Sequence, residues 1–267
     1  AIQFLSRGCS NPGTGGTSCF AQSDNQPVVD GTTSVFTQIG LVRALPVLPK
    51  STLTAGTTIT TSGTGELHVA NGDFSSGITA HAGVSINASG PSRFMPPAGT
   101  GGTGRIDSDN VLAVLQQQGA EPWFRAQFVM DRAGYSRQPA TVRLDCAAGC
   151  FGRDIANAVL MNPRNPIWAD GDVDLDLDGP LGTAADPVML IVNGNLTISA
   201  DIQARGFVHA NRIDWTATTA TWDGALVAMT SFDTTTVATL RYDKPMLDII
   251  RLRYGSFVRL PGGWNLF

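Results

Sequence analysis

The nine residues Asp170-Gly171-Asp172-Val173-Asp174-Leu175-Asp176-Leu177-Asp178 place carboxylates on one side of an extended chain and Val173, Leu175 and Leu177 on the other. A period of two identifies a half-buried strand, because successive side chains of a pleated chain point to opposite faces. The pattern continues outward. Val188 to Val192, the turn Asn193-Gly194, Leu196 to Ile198 and Gly206 to Ala210 follow. Ile213 with Trp215, Ala225 to Ala228 and Val237 to Arg241 complete the series. Strands of four to six residues divided by Gly, Asn and Asp predict stacked rungs whose inward side chains form a dry column. Upstream, β-prone stretches at Ile59, at Leu67 with Val69, at Ile78 and at Val84 with Ile86 are also divided by glycines, without a fixed repeat length. The expected fold is mainly β, a solenoid-like stack of short strands with a few short α-helices.

Composition agrees. Only 15% of the 267 residues are charged, and 30 are Gly and 15 Pro. Low charge with abundant turn formers suits sheets joined by tight turns better than helices. Four helices are predicted, over 108–118, 121–129, 154–160 and 244–254. The last starts at the N-cap Asp243 with Pro245 in its first turn, and Gly255 follows its end. Its Met246, Leu247, Ile249, Ile250 and Leu252 require a broad apolar partner, and the expectation is that it caps the last rung. Four segments result: a loop-rich 1–50, a β-rich 51–104, a helical insertion at 105–165, and the solenoid-like 166–267 with its capping helix.

The net charge of −4 argues against nucleic acid,. The basic cluster Arg241, Lys244, Arg251, Arg253 and Arg259 is interleaved with Asp243 and Asp248 and reads as a solvated face. No apolar run approaches the ~20 residues of a membrane helix. Cys9 with Cys19 and Cys146 with Cys150 form two close pairs, read as two local disulfides and hence an oxidising compartment. Zinc is the rival, disfavoured by the wide gap between Cys9 and Cys19. Asp174, Asp176, Asp178 and Gly179 match the opening of a calcium loop, but Ala185 stands where the bidentate Glu belongs, so an acidic strand face is the stronger reading. The same carboxylates could serve a solenoid polysaccharide hydrolase, yet their spacing arises in any acidic strand. His68, His81 and His209 lack metal-ligand spacing, and nucleophile-elbow, phosphate-loop and dinucleotide motifs do not occur,. No cofactor is expected. Most of the large aromatics Trp123, Phe124, Trp168, Trp215, Trp222 and Trp264 are read as core or cap residues.

Several segments occur together in a familiar order: Pro166-Ile167-Trp168-Ala169-Asp170-Gly171-Asp172, Asp186-Pro187-Val188-Met189-Leu190-Ile191-Val192-Asn193-Gly194-Asn195-Leu196, Gly206-Phe207-Val208-His209-Ala210, Gly224-Ala225-Leu226, Tyr242-Asp243 and Pro261-Gly262-Gly263-Trp264-Asn265-Leu266-Phe267. This order resembles the C-terminal half of PilX-like type IV pilus assembly proteins (minor pilins). Their hallmarks include a "dPViLvVnGdl" strand, a "GAvia" strand, a "YD" helix start and a "PGSWRDF" tail. The tail here keeps the turn and apolar positions and changes the polar ones. The resemblance covers residues 121–267 well and 30–110 loosely. It implies a non-enzymatic pilus component acting in filament initiation or at the tip, with other pilins as partners. An extracellular adhesin with a surface or glycan ligand is the alternative. It further implies a cell-surface location in a Gram-negative bacterium, at the periplasmic face of the inner membrane before assembly, and a membrane helix upstream of Ala1. Tyr242, Asp243, Trp264 and Phe267 are the residues it marks for interaction or capping.

Overall fold

The computed structural model describes residues 2–10, 31–100, 102, 104–259 and 265–266. The strands β1 (Ile2–Ser10) and β2 (Gly31–Arg43) pair antiparallel. Two rungs follow: β3 (Ser51–Ala55), β4 (Thr58–Thr61) and β5 (Glu66–Asn71), then β6 (Ile78–Ala82), β7 (Ser85–Asn87) and β8 (Arg93–Met95). After β9 (Arg105–Ile106) come three helices, α1 (Asn110–Gln117), α2 (Ala120–Phe128) and α3 (Arg132–Ser136). Strand β10 (Val142–Phe151) leads into α4 (Gly152–Met161). Next are β11 (Ile167–Leu175), β12 (Gly179–Leu181), β13 (Val188–Val192), β14 (Asn195–Ile198), β15 (Ile202–Ala210), β16 (Arg212–Trp215), β17 (Thr221–Ala228), β18 (Phe232–Thr234) and β19 (Val237–Tyr242). Helix α5 (Lys244–Arg253), β20 (Gly255–Arg259) and β21 (Asn265–Leu266) end the chain.

Two compact units result. One holds residues 1–42 and 256–267, an antiparallel sheet in the order β1-β2-β20 with β21 also on β2. The other holds residues 43–255, where β3 to β19 join in one curled, solenoid-like parallel sheet. The mainly β, solenoid-like expectation therefore holds. Segment 1–50, expected to be loop-rich, instead supplies two strands. The Gly, Pro and Asn cluster between them drew the reading away from the β-prone Val35, Phe36, Thr37 and Ile39.

Each full rung visits three faces. On the first, Ile167, Leu190, Val208, Leu226, Leu53 and Ala80 stack in register. On the second, Val173, Leu196, Ile213, Phe232, Ile59 and Ile86 stack. On the third, Leu181, Ala204, Trp222, Leu240, Val69 and Phe94 stack. These columns point inward and form one core. Val188, Gly206 and Gly224 are successive partners in register, so along this column each rung advances eighteen residues. Loops of unequal length between the other rungs hide that period from the sequence. The glycines have a steric reason. At Gly206 (φ +150°) a Cβ would sit 1.9 Å from the carbonyl oxygen of Val188, and at Gly224 (φ +134°) 1.8 Å from that of Gly206,.

The rungs do not stack in chain order. The rung ending at Tyr242 is followed in space by the rung beginning at Ser51: β17 pairs with β3, β18 with β4 and β19 with β5. Helix α5 therefore covers a flank rather than the last rung. Its Leu247 and Ile250 pack with Phe207, Ala225 and Val227, which point outward from the first face. The open edge that prompted the capping expectation is filled by β3 to β5. Helices α2 and α3 cover the same flank with Trp123, Phe124, Phe128 and Tyr135, so the first face is buried on both sides,.

The two tips of the stack close differently. At one, α4 turns its buried Ile155 and Ala158 into the inner core beside Cys146 and Cys150. At the other, Arg105 follows Leu53 and Ala80 in an inward column. Its guanidinium lies 4.8 Å from the centre of the Phe94 ring, and its Nη2 donates to the Ile86 carbonyl oxygen at 2.8 Å. A charged side chain thus covers the last apolar layer and presents water with donors instead of hydrocarbon.

Candidate functional site

Cys146 and Cys150 are joined in a disulfide, with Cα atoms 5.0 Å apart. Such a bond belongs to an oxidising compartment, extracellular or periplasmic. The Cys9–Cys19 pair, Trp264 and Phe267 lie outside the described residues. No described helix is long and apolar enough to cross a membrane.

The acidic stretch is not one long strand. Strand β11 stops at Leu175, and Asp176 to Asp178 form a corner. There the period of two fails: Leu177 is exposed. The carboxylates satisfy neighbouring rungs instead. Asp172 accepts from the Asn195 N–H at 2.7 Å, Asp174 from the Ser199 hydroxyl, Asp176 from the Gly152 N–H at 2.9 Å and Asp178 from the Asp201 N–H at 2.9 Å. Asp201 repeats the device one rung on, accepting from the N–H groups of Thr218 and Thr219, and the Thr219 bonds lower its pKa. These are corner braces, which satisfy backbone groups that a turn leaves unpaired. Among the described residues no three His, Cys, Asp or Glu side chains are grouped to hold a metal ion.

Tyr242 and Asp243 take structural positions. The Tyr242 hydroxyl donates to the Pro49 carbonyl oxygen at 2.6 Å, and burial raises its pKa. Asp243 caps α5 by accepting from the Met246 N–H at 3.0 Å. Trp215 and Trp222 lie in the inner core, while Trp123, Phe124 and Trp168 lie under the helical layer.

Two surfaces remain as candidates. The first is the α4 tip. Leu160 and Met161 are about 80% exposed and Phe151 more than half exposed. At the C-terminal end of α4 a cavity of about 410 Å³ is lined by Val159, Leu160, Leu181, Pro187 and Val188 and by the Arg164–Asp186 ion pair. Composition carried no hint of this surface, because the same residue types fill the core. The second is a polar groove of about 650 Å³ on the third face, where Arg205, Asp223 and Arg241 occupy consecutive rungs beside Phe74 and Tyr242.

No protein-family model matches the chain, and no curated protein matches it.

Proposed function

We propose that this chain is a non-enzymatic component of a type IV pilus that acts in filament initiation or at the tip through contacts with other pilins. The observation that carries the reading is the α4 tip. Leu160 and Met161, at the C-terminal end of α4, present apolar surface to water, and Leu160 lines a neighbouring cavity of about 410 Å³. Clustered exposed apolar residues next to a concavity are the usual mark of a protein-binding surface. The resemblance to PilX-like proteins supports the same reading. Its segments fall on ordered elements: Val188–Leu196 on β13 and β14, Gly206–Ala210 on β15, Gly224–Leu226 on β17, and Tyr242-Asp243 at the start of α5.

The double variant Leu160→Glu, Met161→Glu tests it, since both side chains are exposed and their replacement leaves the core intact. In the producing bacterium the variant is expected to accumulate at normal level with few or no surface pili, counted by electron microscopy. Normal pilus number would overturn the assembly reading. Normal pili with lost attachment would favour an adhesive role instead.

A further inference from the structure

The groove on the third face combines four features. Arg205, Asp223 and Arg241 are register partners, so the two guanidinium-bearing positions are two rungs, about 10 Å, apart along the stack,. Asp223 is largely covered and is held mainly by Arg241, whose Nε donates to it at 2.7 Å and whose Nη2 at 3.2 Å. Arg205 is half exposed, and among the described residues its one ion-pair partner is Asp223, at 3.5 Å. Arg205 also lines the groove, with no closer ion pair than this one among the described residues. A guanidinium fork matches a carboxylate or another planar oxyanion.

The other charges of the groove are engaged. Asp73 accepts from the N–H and the hydroxyl of Ser75, Asp243 caps α5, and Lys244 pairs with Asp248 at 2.6 Å. What remains is an aromatic ring. Phe74 is 75% exposed on a loop that is firmly braced. The Asn71 side chain, 1% exposed, donates to the Ile78 carbonyl oxygen at 2.7 Å and accepts from the Asp73 N–H at 2.8 Å. These bonds brace the loop that carries Phe74, so part of the backbone ordering cost at this position is met before any ligand arrives,.

We propose that this groove binds a uronic-acid oligosaccharide, with the apolar face of a sugar ring on Phe74 and a carboxylate on Arg205, while Arg241 stays paired with Asp223. A uronate joins the two required chemistries in one unit: a ring with an apolar C–H face and a carboxylate that accepts a bidentate fork. The formal charges of the groove cancel, so recognition comes from directed hydrogen bonds and ring contact rather than a long-range field. The site is separate from the α4 tip and stands or falls independently of the pilus reading.

Calorimetric titration with tetramers of galacturonate, glucuronate, mannuronate and guluronate tests the proposal, with uncharged maltotetraose and inorganic sulfate as comparators. At least one uronate tetramer is expected to bind more tightly than either comparator. Arg205→Gln is expected to weaken that binding about tenfold or more, as loss of a charge-assisted bidentate contact does. Phe74→Ala should weaken it several-fold. Both variants should keep the parent melting temperature, since Asp223 retains Arg241 and Phe74 lies outside the core. Silence from all four uronates, equal affinity for maltotetraose, sulfate binding as tightly as the uronates, or unchanged affinity in both variants would each overturn the proposal. Binding of an acidic peptide in the groove with no uronate response would do so as well.

Discussion

At the scale of single residues, His209 is a titratable side chain held away from solvent. It is 4% accessible, its ring meets Phe124 and Phe128 edge-on at 5.5 and 5.4 Å, and neither ring nitrogen has a partner among the described residues. Burial, with the Arg132 charge adding to it, lowers its pKa to about 3. A histidine kept neutral in the fold and free to protonate when unfolded costs stability as pH falls. Its contribution is intact above the unfolded value of about 6.5 and is lost between there and the folded value. From pH 7 to pH 5 that loss amounts to about 2 kcal/mol. Urea unfolding at the two pH values should show it, and His209→Leu should remove most of the difference. An equal pH dependence in the variant would assign the effect to other groups. The burial of His209 was not legible in the sequence, where it stood as one of three scattered histidines. Its alternation with Val208 and Ala210 announced a strand, but a second apolar layer over the outer face arises only when α2 and α3 dock there.

At the scale of elements, the helices show what the sequence could and could not tell. Helices α1, α2, α4 and α5 lie within two residues of their predicted spans, because caps and apolar stripes are local signals,. Asp109 caps α1 and also accepts from the His81 ring at 2.7 Å, a bond that lowers the Asp109 pKa and ties the helix start to β6. The five-residue α3 was missed, being too short for periodicity to register. The destination of α5 was misjudged for a different reason: its apolar face demands a partner without saying which. The candidate surfaces escaped for the same reason, since Arg205, Asp223 and Arg241 converge only through register between rungs. The tip closed by Arg105 makes a prediction at this scale. Arg105→Ala removes the cover on Phe94 and the bond to the Ile86 carbonyl, and is expected to cost about 1–2 kcal/mol and to promote self-association through the uncovered edge. Denaturant titration and sedimentation velocity would check both. An unchanged, monomeric variant would show that the tip needs no such cover.

At the scale of the molecule, the stacking order governs folding. Thr57 and Thr230, 173 residues apart in sequence, are joined by two hydrogen bonds to one carbonyl, from the Thr57 N–H and its hydroxyl. Strands β3–β5 pair directly with β17, β18 and β19, and β6–β8 stack in turn on β3–β5. The ends of the 43–255 unit also meet, with the Ala44 N–H donating to the Tyr254 carbonyl oxygen at 2.9 Å. Residues 43–255 expressed alone are therefore expected to unfold cooperatively, whereas residues 43–140 alone should show little β signal by circular dichroism and rapid hydrogen exchange. Stable β structure in the shorter fragment would contradict the template role of the later rungs. Local sequence revealed that rungs exist. It could not reveal their order, because every inward column is built from the same few apolar residue types and any rung could sit on any other.

The return of the chain has a consequence for size. After β9 at one tip, residues 107–141 must travel back past seven rung steps, about 34 Å, to begin β10 at the other,. Helices α1 to α3 lie on that path and so act as a ruler for the stack. One added rung would lengthen the journey by about 4.8 Å, close to the 5.4 Å of a single helical turn. Homologous chains with longer stacks should then carry proportionately longer helical returns, about one turn for each rung gained.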